Sequence, residues 1–457
     1  MDSVEKSGLI VLGAGPKGVA LAAKRAAMRA VGIEVPGLVV IDGNSIGAHW
    51  GGEHGYSDGI QALCTPPLKD IGFPYPGRND LERSLSREML RFSWQTFLVT
   101  EIGQLAFADW VDRGQPSPEH SVFRTYLEWV ADQVRDLEPG PDPFQIGSPI
   151  ESLSTVDDQW VAKLANGETY KGAGLVVTGP GAPREFIRRP ENSEHFFDGA
   201  SFWTEKGRKA MEGVPVDDVA VCVIGTGETA GAVVTEFCRR LGRGVDIHVI
   251  SRTGIVYTRG ESYEENRRFS TPSGWNEEDG IGLSKEARRE FIRRTDRSVF
   301  SVNRKSIMDR DDRVEVVTAE VSRIKDVPGS SDVHYLATSQ PDAPTLETAY
   351  DIVVDATGFC AMSFSELLDD STKASLRSHL EAQGRTCLNK DFEERGLMSK
   401  TAEAIAKNSI THDLSVTEFL PRLHLPMLAD LQQGPGFPNL TSLGILSDRI
   451  WASYCPG

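Results

Sequence analysis

The distribution of apolar residues along the chain is that of an α/β protein built twice over. An apolar run, Leu9-Ile-Val-Leu12, ends in Gly13-Ala-Gly15-Pro-Lys-Gly18 and passes into a small-residue helix, Val19-Ala-Leu-Ala-Ala23. A second apolar strand, Leu38-Val-Val-Ile41, follows and ends in Asp42. Residues 79–100 and 121–136 carry helical periodicity, the latter with Phe123, Tyr126, Leu127 and Val130 on one face, which reads as core packing. Strands are expected near 148–154, 159–164 and 174–178, the last running into Gly179-Pro-Gly181. The opening pattern then recurs: Val219-Ala-Val-Cys-Val-Ile224, Gly225-Thr-Gly227-Glu228-Thr229-Ala230, and a strand from Val245 to Ile250 ending in Ser251-Arg252. Beyond it the pattern predicts a helix over 284–295 and strands near 313–326 and 332–338. A strand ending in Asp355-Ala-Thr-Gly358, a helical stretch over 361–410, and a glycine- and proline-rich loop before a last helix complete the chain.

The two glycine runs fit G-x-G-x-x-G and G-x-G-x-x-A. The first glycine of each allows the tight turn and the second lets backbone approach a pyrophosphate. The third small residue lets helix and strand pack closely, while the helix N-terminus offers free N–H groups. Gly13, Gly15, Gly18, Gly225 and Gly227 are therefore candidate cofactor contacts, together with Glu228 and Thr229 at the second turn. Asp42, at the end of the second strand, is placed to hold a ribose hydroxyl. Where the first fold has that acid the second has Ser251-Arg252, and a guanidinium there pairs with a 2′-phosphate, which favours NADPH while leaving NADH possible. Two such folds in one chain point to FAD in the first and NAD(P)H in the second, with the cofactors carrying the chemistry. Trp50, in the glycine-rich loop after Asp42, and Gly358 join the cofactor-binding set.

Composition narrows this picture without redirecting it. The chain has 457 residues, 39% hydrophobic and 25% charged, enough for two or three domains. A net charge of −17 argues against nucleic acid or an anionic membrane surface as the main partner. No secretory signal or membrane-spanning run is expected, so the cytoplasm is the expected compartment. Six cysteines lack C-x-x-C or zinc-ligand spacing and read as free thiols, so no metal site is expected. His49, His54 and His120 read as structural or surface residues.

These segments resemble the flavin-dependent N-hydroxylating monooxygenases over almost the whole chain, and within them the lysine N6-monooxygenases of mycobactin-type siderophore biosynthesis. The resemblance is carried by the two glycine turns, Leu68-Lys69-Asp70, Phe107-Ala-Asp-Trp-Val-Asp-Arg113, Phe123-x-x-Tyr126-x-x-Trp129, Asn266-x-x-Phe269-Ser270, the run 295–299, Ala356-Thr-Gly358, and the tail Gln433-Gly-Pro-Gly-Phe-Pro-Asn-Leu440 with Leu446-Ser-Asp-Arg449. It implies two Rossmann-like domains, the NADPH domain inserted in the FAD domain, plus a smaller, mostly helical substrate region. The expected divisions are 1–195 (FAD, first part), 196–350 (NAD(P)H, with a substrate-region insert at about 257–310) and 351–457 (FAD, second part, and substrate region).

The same resemblance implies that NADPH reduces FAD, that oxygen adds to give a C4a-hydroperoxyflavin, and that the N6 amine of L-lysine attacks it, the product serving a hydroxamate siderophore. No protein side chain is then required as catalyst. Lys69 matches the lysine that meets the substrate carboxylate, and Asn266 an asparagine at the amino-acid end of the substrate. Asp296 falls where ornithine enzymes carry another asparagine, and Thr441 at a position near substrate and flavin. Three positions depart from the pattern. Cys64 stands where ornithine enzymes have a flavin-contacting glutamine, Glu228 where many relatives have glutamine, and Arg267 where a glutamate follows the asparagine. The resemblance also implies a dimer or tetramer and downstream siderophore-assembly enzymes. Alternatives are hydroxylation of ornithine or another primary amine, a Baeyer–Villiger or sulfide monooxygenase, and a flavin redox sensor without turnover.

Overall fold

The computed structural model describes residues 8–138, 140–185, 187, 193–259, 275, 283–295, 297–326, 334–338, 346–385 and 387–455. Two parallel five-stranded sheets organise it. In the first, β1 (Leu9–Leu12) lies between β2 (Leu38–Asp42) and β4 (Gly174–Val177), with β3 (Phe144–Ile146) beyond β2 and β10 (Arg422–His424) beyond β4. All four residues of β1 are buried, as expected of a central parallel strand covered on both faces. The second sheet has β6 (Asp217–Ile224) between β7 (Gly244–Ser251) and β9 (Ile352–Asp355), flanked by β8 (Val314–Thr318) and β5 (Phe196–Asp198). A three-stranded antiparallel sheet, Ile150–Val156, Gln159–Leu164 and Thr169–Gly172, attaches to the first unit, and Val321–Asp326, His334–Thr338 and Leu346–Tyr350 form another in the second.

Strand β9 revises the expected division at 350. Ile352-Val-Val-Asp355 hydrogen-bonds to β6 on one side and β5 on the other, so the second sheet takes a strand from beyond that point. Apolar side chains on both faces, all buried, suit a central strand rather than a connection. The first sheet likewise receives β10 from near the far end of the chain, against β4, which is the topology of one unit inserted in another.

Each glycine turn starts a helix: α1 (Pro16–Ala30) in the first unit and α2 (Glu228–Arg240) in the second. The alanines of α1 let it lie close on the sheet, and its other side is covered by α4 (Leu443–Ala452). There the Trp451 indole donates to the Leu21 carbonyl at 3.0 Å, and Lys24 pairs with Asp448 at 2.8 Å. The helix expected over 79–100 is interrupted. Asp80–Met89 passes through a tight turn at 90–92, and Ser93, extended and accepting from the Thr96 amide, caps a new start at Trp94. That restart swings Trp94 and Phe97 onto Tyr126 and Phe123, and the aromatic face of His120–Leu137 is indeed core. No helix among the described residues is long and apolar enough to cross a membrane, and all six cysteines are free thiols.

Candidate active site: two glycine cradles and a tail-braced loop

Gly13 has φ 100° and Gly225 φ 120°, a region that side chains other than glycine's rarely occupy. A Cβ on Gly18 would meet the Gly13 carbonyl oxygen at 2.3 Å, so turn and helix are in near contact. At Gly15 and Gly227, by contrast, an added Cβ would meet nothing within 4 Å. These are open positions at the mouths of α1 and α2, as the close approach of a pyrophosphate requires, and no side chain caps either helix start. The residues present therefore fit two dinucleotides.

Around the first cradle, Asp42 accepts the Ala14 amide at 3.0 Å on one oxygen and the Asn44 amide at 2.9 Å on the other. It holds the turn in shape, and each oxygen keeps a further lone pair. The half-exposed Trp50 stacks on His120 at 5.4 Å and leans on Phe123. His120 meets the Ser57 hydroxyl at 2.7 Å, and burial, then the Arg304 charge, push its imidazole down to about 3. Burial also raises the Cys64 thiol, with Glu228 adding to the rise and Arg259 and Arg304 opposing it. Cys64 thus lies beside charged groups of the second unit.

Around the second cradle, Glu228 is the first residue of α2 and pairs with Arg304. Thr229 packs on Gly199. The Ala356 carbonyl lies 2.7 Å from where a Gly225 Cβ would be, so Ala356-Thr-Gly358 backs the second turn, and Gly358 (φ 109°) accepts the Arg184 amide at 3.0 Å. Arg252 is exposed just beyond β7. Burial and the charges of Arg184, Arg252 and Arg395, with Asp391 opposing, hold the Lys400 ammonium below its ordinary value. Arg252 therefore belongs to a cationic neighbourhood drawn from three segments. Arg252 is expected from its place after a strand, whereas nothing local in the sequence marks Arg395 or Lys400 as its neighbours.

Lys69 is buried at 5% exposure in a proline-fixed loop. The next residue, Asp70, braces that loop: its carboxylate accepts from the Tyr75 hydroxyl (2.6 Å), the Trp94 amide (2.9 Å) and the Gly72 amide (3.1 Å). Burial raises its pKa to about 6 against those hydrogen bonds. The tail meets the same loop. The Gly444 amide donates to the Phe73 carbonyl at 2.8 Å, and a Cβ on Gly444 would lie 2.2 Å from the Gly72 oxygen. Thr441, fully buried, donates its hydroxyl to Asn439 Oδ1 at 2.6 Å. The fold thus brings together the Lys69 loop and the segment carrying Thr441.

Asn266 and Asp296 lie outside the described residues. Among the described residues, the Trp275 indole donates to the Leu431 carbonyl at 3.1 Å, and Arg297 pairs with Asp430 at 3.1 Å.

Two open dinucleotide cradles on two parallel sheets, with a buried lysine loop braced by the tail, define a protein built for two dinucleotide cofactors. No protein-family model matches the chain. It is 35% identical over 454 residues to the L-lysine N6-monooxygenase MbtG of Mycolicibacterium paratuberculosis, covering 98% of this chain and 95% of that one. It is 34% identical over 449 residues to MbtG of Mycobacterium tuberculosis, covering 97% and 94%. Among solved structures, lysine monooxygenase NbtG from Nocardia farcinica superposes with a TM-score of 0.76 at 34% identity, over 97% of this chain and 99% of that one. An ornithine N-hydroxylase from Kutzneria, 18% identical with a TM-score of 0.69 over 98% and 99%, shares the fold. The chain belongs to the L-lysine N6-monooxygenase family.

Proposed function

We propose that this chain hydroxylates the N6 amine of L-lysine with NADPH and O2 on bound FAD, and that the product feeds hydroxamate siderophore assembly. The observation that carries the reading is the end-to-end match at 34–35% identity to L-lysine N6-monooxygenases, which spans both glycine cradles and the Lys69 loop. The flavin, when bound, supplies the oxygen-activating redox chemistry.

The protein's own task is positional. Gly13, Gly15, Gly18 and Asp42, with Trp50 and Cys64 nearby, hold FAD at the first cradle. Gly225, Gly227, Thr229 and Gly358 hold the nicotinamide dinucleotide at the second, with Glu228 beside the turn in its pair with Arg304 and Arg252 on a 2′-phosphate. Lys69 offers a compact ammonium to the substrate carboxylate, and Asn266, Asp296 and Thr441 complete the amino-acid site. A free lysine amine has a pKa of about 10.4, so it has to be delivered neutral to act as a nucleophile. Burial disfavours its charged form and supplies that shift without a dedicated base. Water is excluded by the Lys69 loop and the tail packed on it.

In domain terms, FAD binding falls to the first unit with the C-terminal segment, NADPH binding to the inserted unit, and substrate binding to the insert at about 257–310 together with the tail. A cytoplasmic homo-oligomer, dimeric or tetrameric, completes the reading. The test is to incubate the FAD-loaded protein with NADPH, oxygen and a panel of amines. A gain of one oxygen atom on lysine alone, with lysine-stimulated NADPH oxidation, supports it. Oxidation of ornithine or a diamine in preference, or none, rejects it.

A further inference from the structure

The second glycine turn carries a carboxylate at the start of its helix, the end that a diphosphate approaches. Glu228 is the first helical residue after Gly227, and one of its oxygens, Oε1, is buried without a hydrogen-bond partner. Alone, its charge at the mouth of α2 would repel the phosphates that the helix N-terminus attracts.

Its other oxygen is held by Arg304, from α3 (Val302–Arg310). Arg304 is buried, and its guanidinium also lies 3.4 Å from the Glu228 carbonyl oxygen and 3.5 Å from the Ala62 carbonyl oxygen in the Cys64 loop. The helix is shaped to admit it: a Cβ on Gly231 would stand 3.0 Å from Arg304 Cδ and 3.1 Å from the Phe300 ring. Guanidinium keeps its proton in any protein environment, so the neutralisation is permanent, and its fork has donors beyond those given to Glu228.

We propose that Arg304 determines nicotinamide-dinucleotide affinity: it cancels the Glu228 charge at the second glycine turn and presents its remaining N–H groups to the diphosphate. The proposal rests on the reading of that turn as the NADPH site. Because the same guanidinium reaches Ala62, Arg304 also ties the occupied turn to the flavin-side loop.

The test is calorimetric titration of NADP+ into the FAD-loaded protein, with FAD content and Tm recorded for each variant. Arg304→Met should weaken NADP+ binding about tenfold or more, as expected for loss of a charge-assisted contact. Glu228→Gln should bind at least as tightly as the parent. The double variant Glu228→Gln/Arg304→Met should recover the part of the loss owed to charge, because the charge that Arg304 cancels is gone, and not the part owed to the lost donors. Affinity within about twofold of the parent in Arg304→Met, or a double variant as weak as that single one, overturns the proposal. A merely structural arginine would show the same loss and rescue in Tm and FAD content, so the affinity change has to appear at parental Tm and FAD content. If Arg304→Met loses FAD or fails to fold, Arg304→Lys and Arg304→Lys/Glu228→Gln are compared instead: tighter binding in the latter supports the proposal and equal binding overturns it. Failure of the parent to bind NADP+ refutes the cofactor reading itself, a result distinct from an unaltered Arg304→Met.

Discussion

Lys17 Nζ donates a 2.8 Å hydrogen bond to the carbonyl of Pro438 and lies 3.3 Å from Met427 Sδ. An ammonium inside the first glycine turn is thereby fastened to the tail loop, both ends buried, so cradle shape and tail position are one property. Lys17→Met should leave the Pro438 carbonyl without that donor and cost about 1.5–3 kcal/mol, the worth of a hydrogen bond to a charged group. Lower Tm and lower FAD occupancy after desalting are expected; unchanged values for both would show that the tether is dispensable.

Lys69→Ala should leave FAD content intact, lower kcat/KM for lysine by about tenfold or more, and raise the fraction of NADPH oxidation ending in peroxide. The measurement is hydroxylamine formed against NADPH consumed. Full coupling with unaltered lysine KM would remove Lys69 from the substrate site.

Gly444→Ala tests the contact between tail and loop. Its Cβ would press on the Gly72 carbonyl oxygen, which is backbone and cannot swing aside. Overpacking of this kind costs about 1–3 kcal/mol. The relief is a shift of the Lys69 loop, so a raised lysine KM should accompany the lower Tm.

Arg252→Ala should narrow the preference for NADPH over NADH by about tenfold, read from kcat/KM with each nucleotide. An unaltered ratio would assign the 2′-phosphate to Arg395 and Lys400.

Two buried groups give the acid side of the stability profile opposite slopes. His424, bonded to the Asp413 carbonyl and the Tyr454 hydroxyl, is lowered by burial to about 4. The folded state keeps it neutral, so its contribution is whole above pH 6.5 and is lost as pH falls toward 4, by up to about 3 kcal/mol. Asp70 is raised to about 6, so the folded state holds its proton longer, and stability from that source declines as pH rises from about 4 to 6. In thermal melts, His424→Gln should flatten the loss of Tm between pH 6.5 and 4, and Asp70→Asn should steepen it between pH 6 and 4.

Both glycine turns, their strands and the free thiols were readable from local sequence, because a positive φ at Gly13 or Gly225 and a close helix approach at Gly18 are demands met within a few residues. Other features depend on partners more than a hundred positions away, and no local pattern announces them: Lys17 with Pro438, Gly444 with Gly72, Trp275 with Leu431. Glu228 stood out as a departure, but its meaning needed Arg304, whose own surroundings in sequence are an ordinary charged helix. Ser93 shows the converse: a cap is locally visible, yet strong helical periodicity on both sides conceals it. Ile352–Asp355 reads equally well as a strand of either sheet, and only hydrogen bonding assigns it.

The last strand of the first sheet, Arg422–His424, has a consequence for biogenesis. A ribosome making this chain exposes β1, β2 and β4 long before the residues that cover the outer edge of β4 exist. The second sheet also has to wait for Ile352–Asp355 before Asp217–Ile224 is flanked on both sides. For most of synthesis the nascent chain therefore carries open parallel edges, which favour mispairing. Premature termination anywhere before 424 leaves the first sheet without its full outer strand, with the edge of β4 open to mispairing.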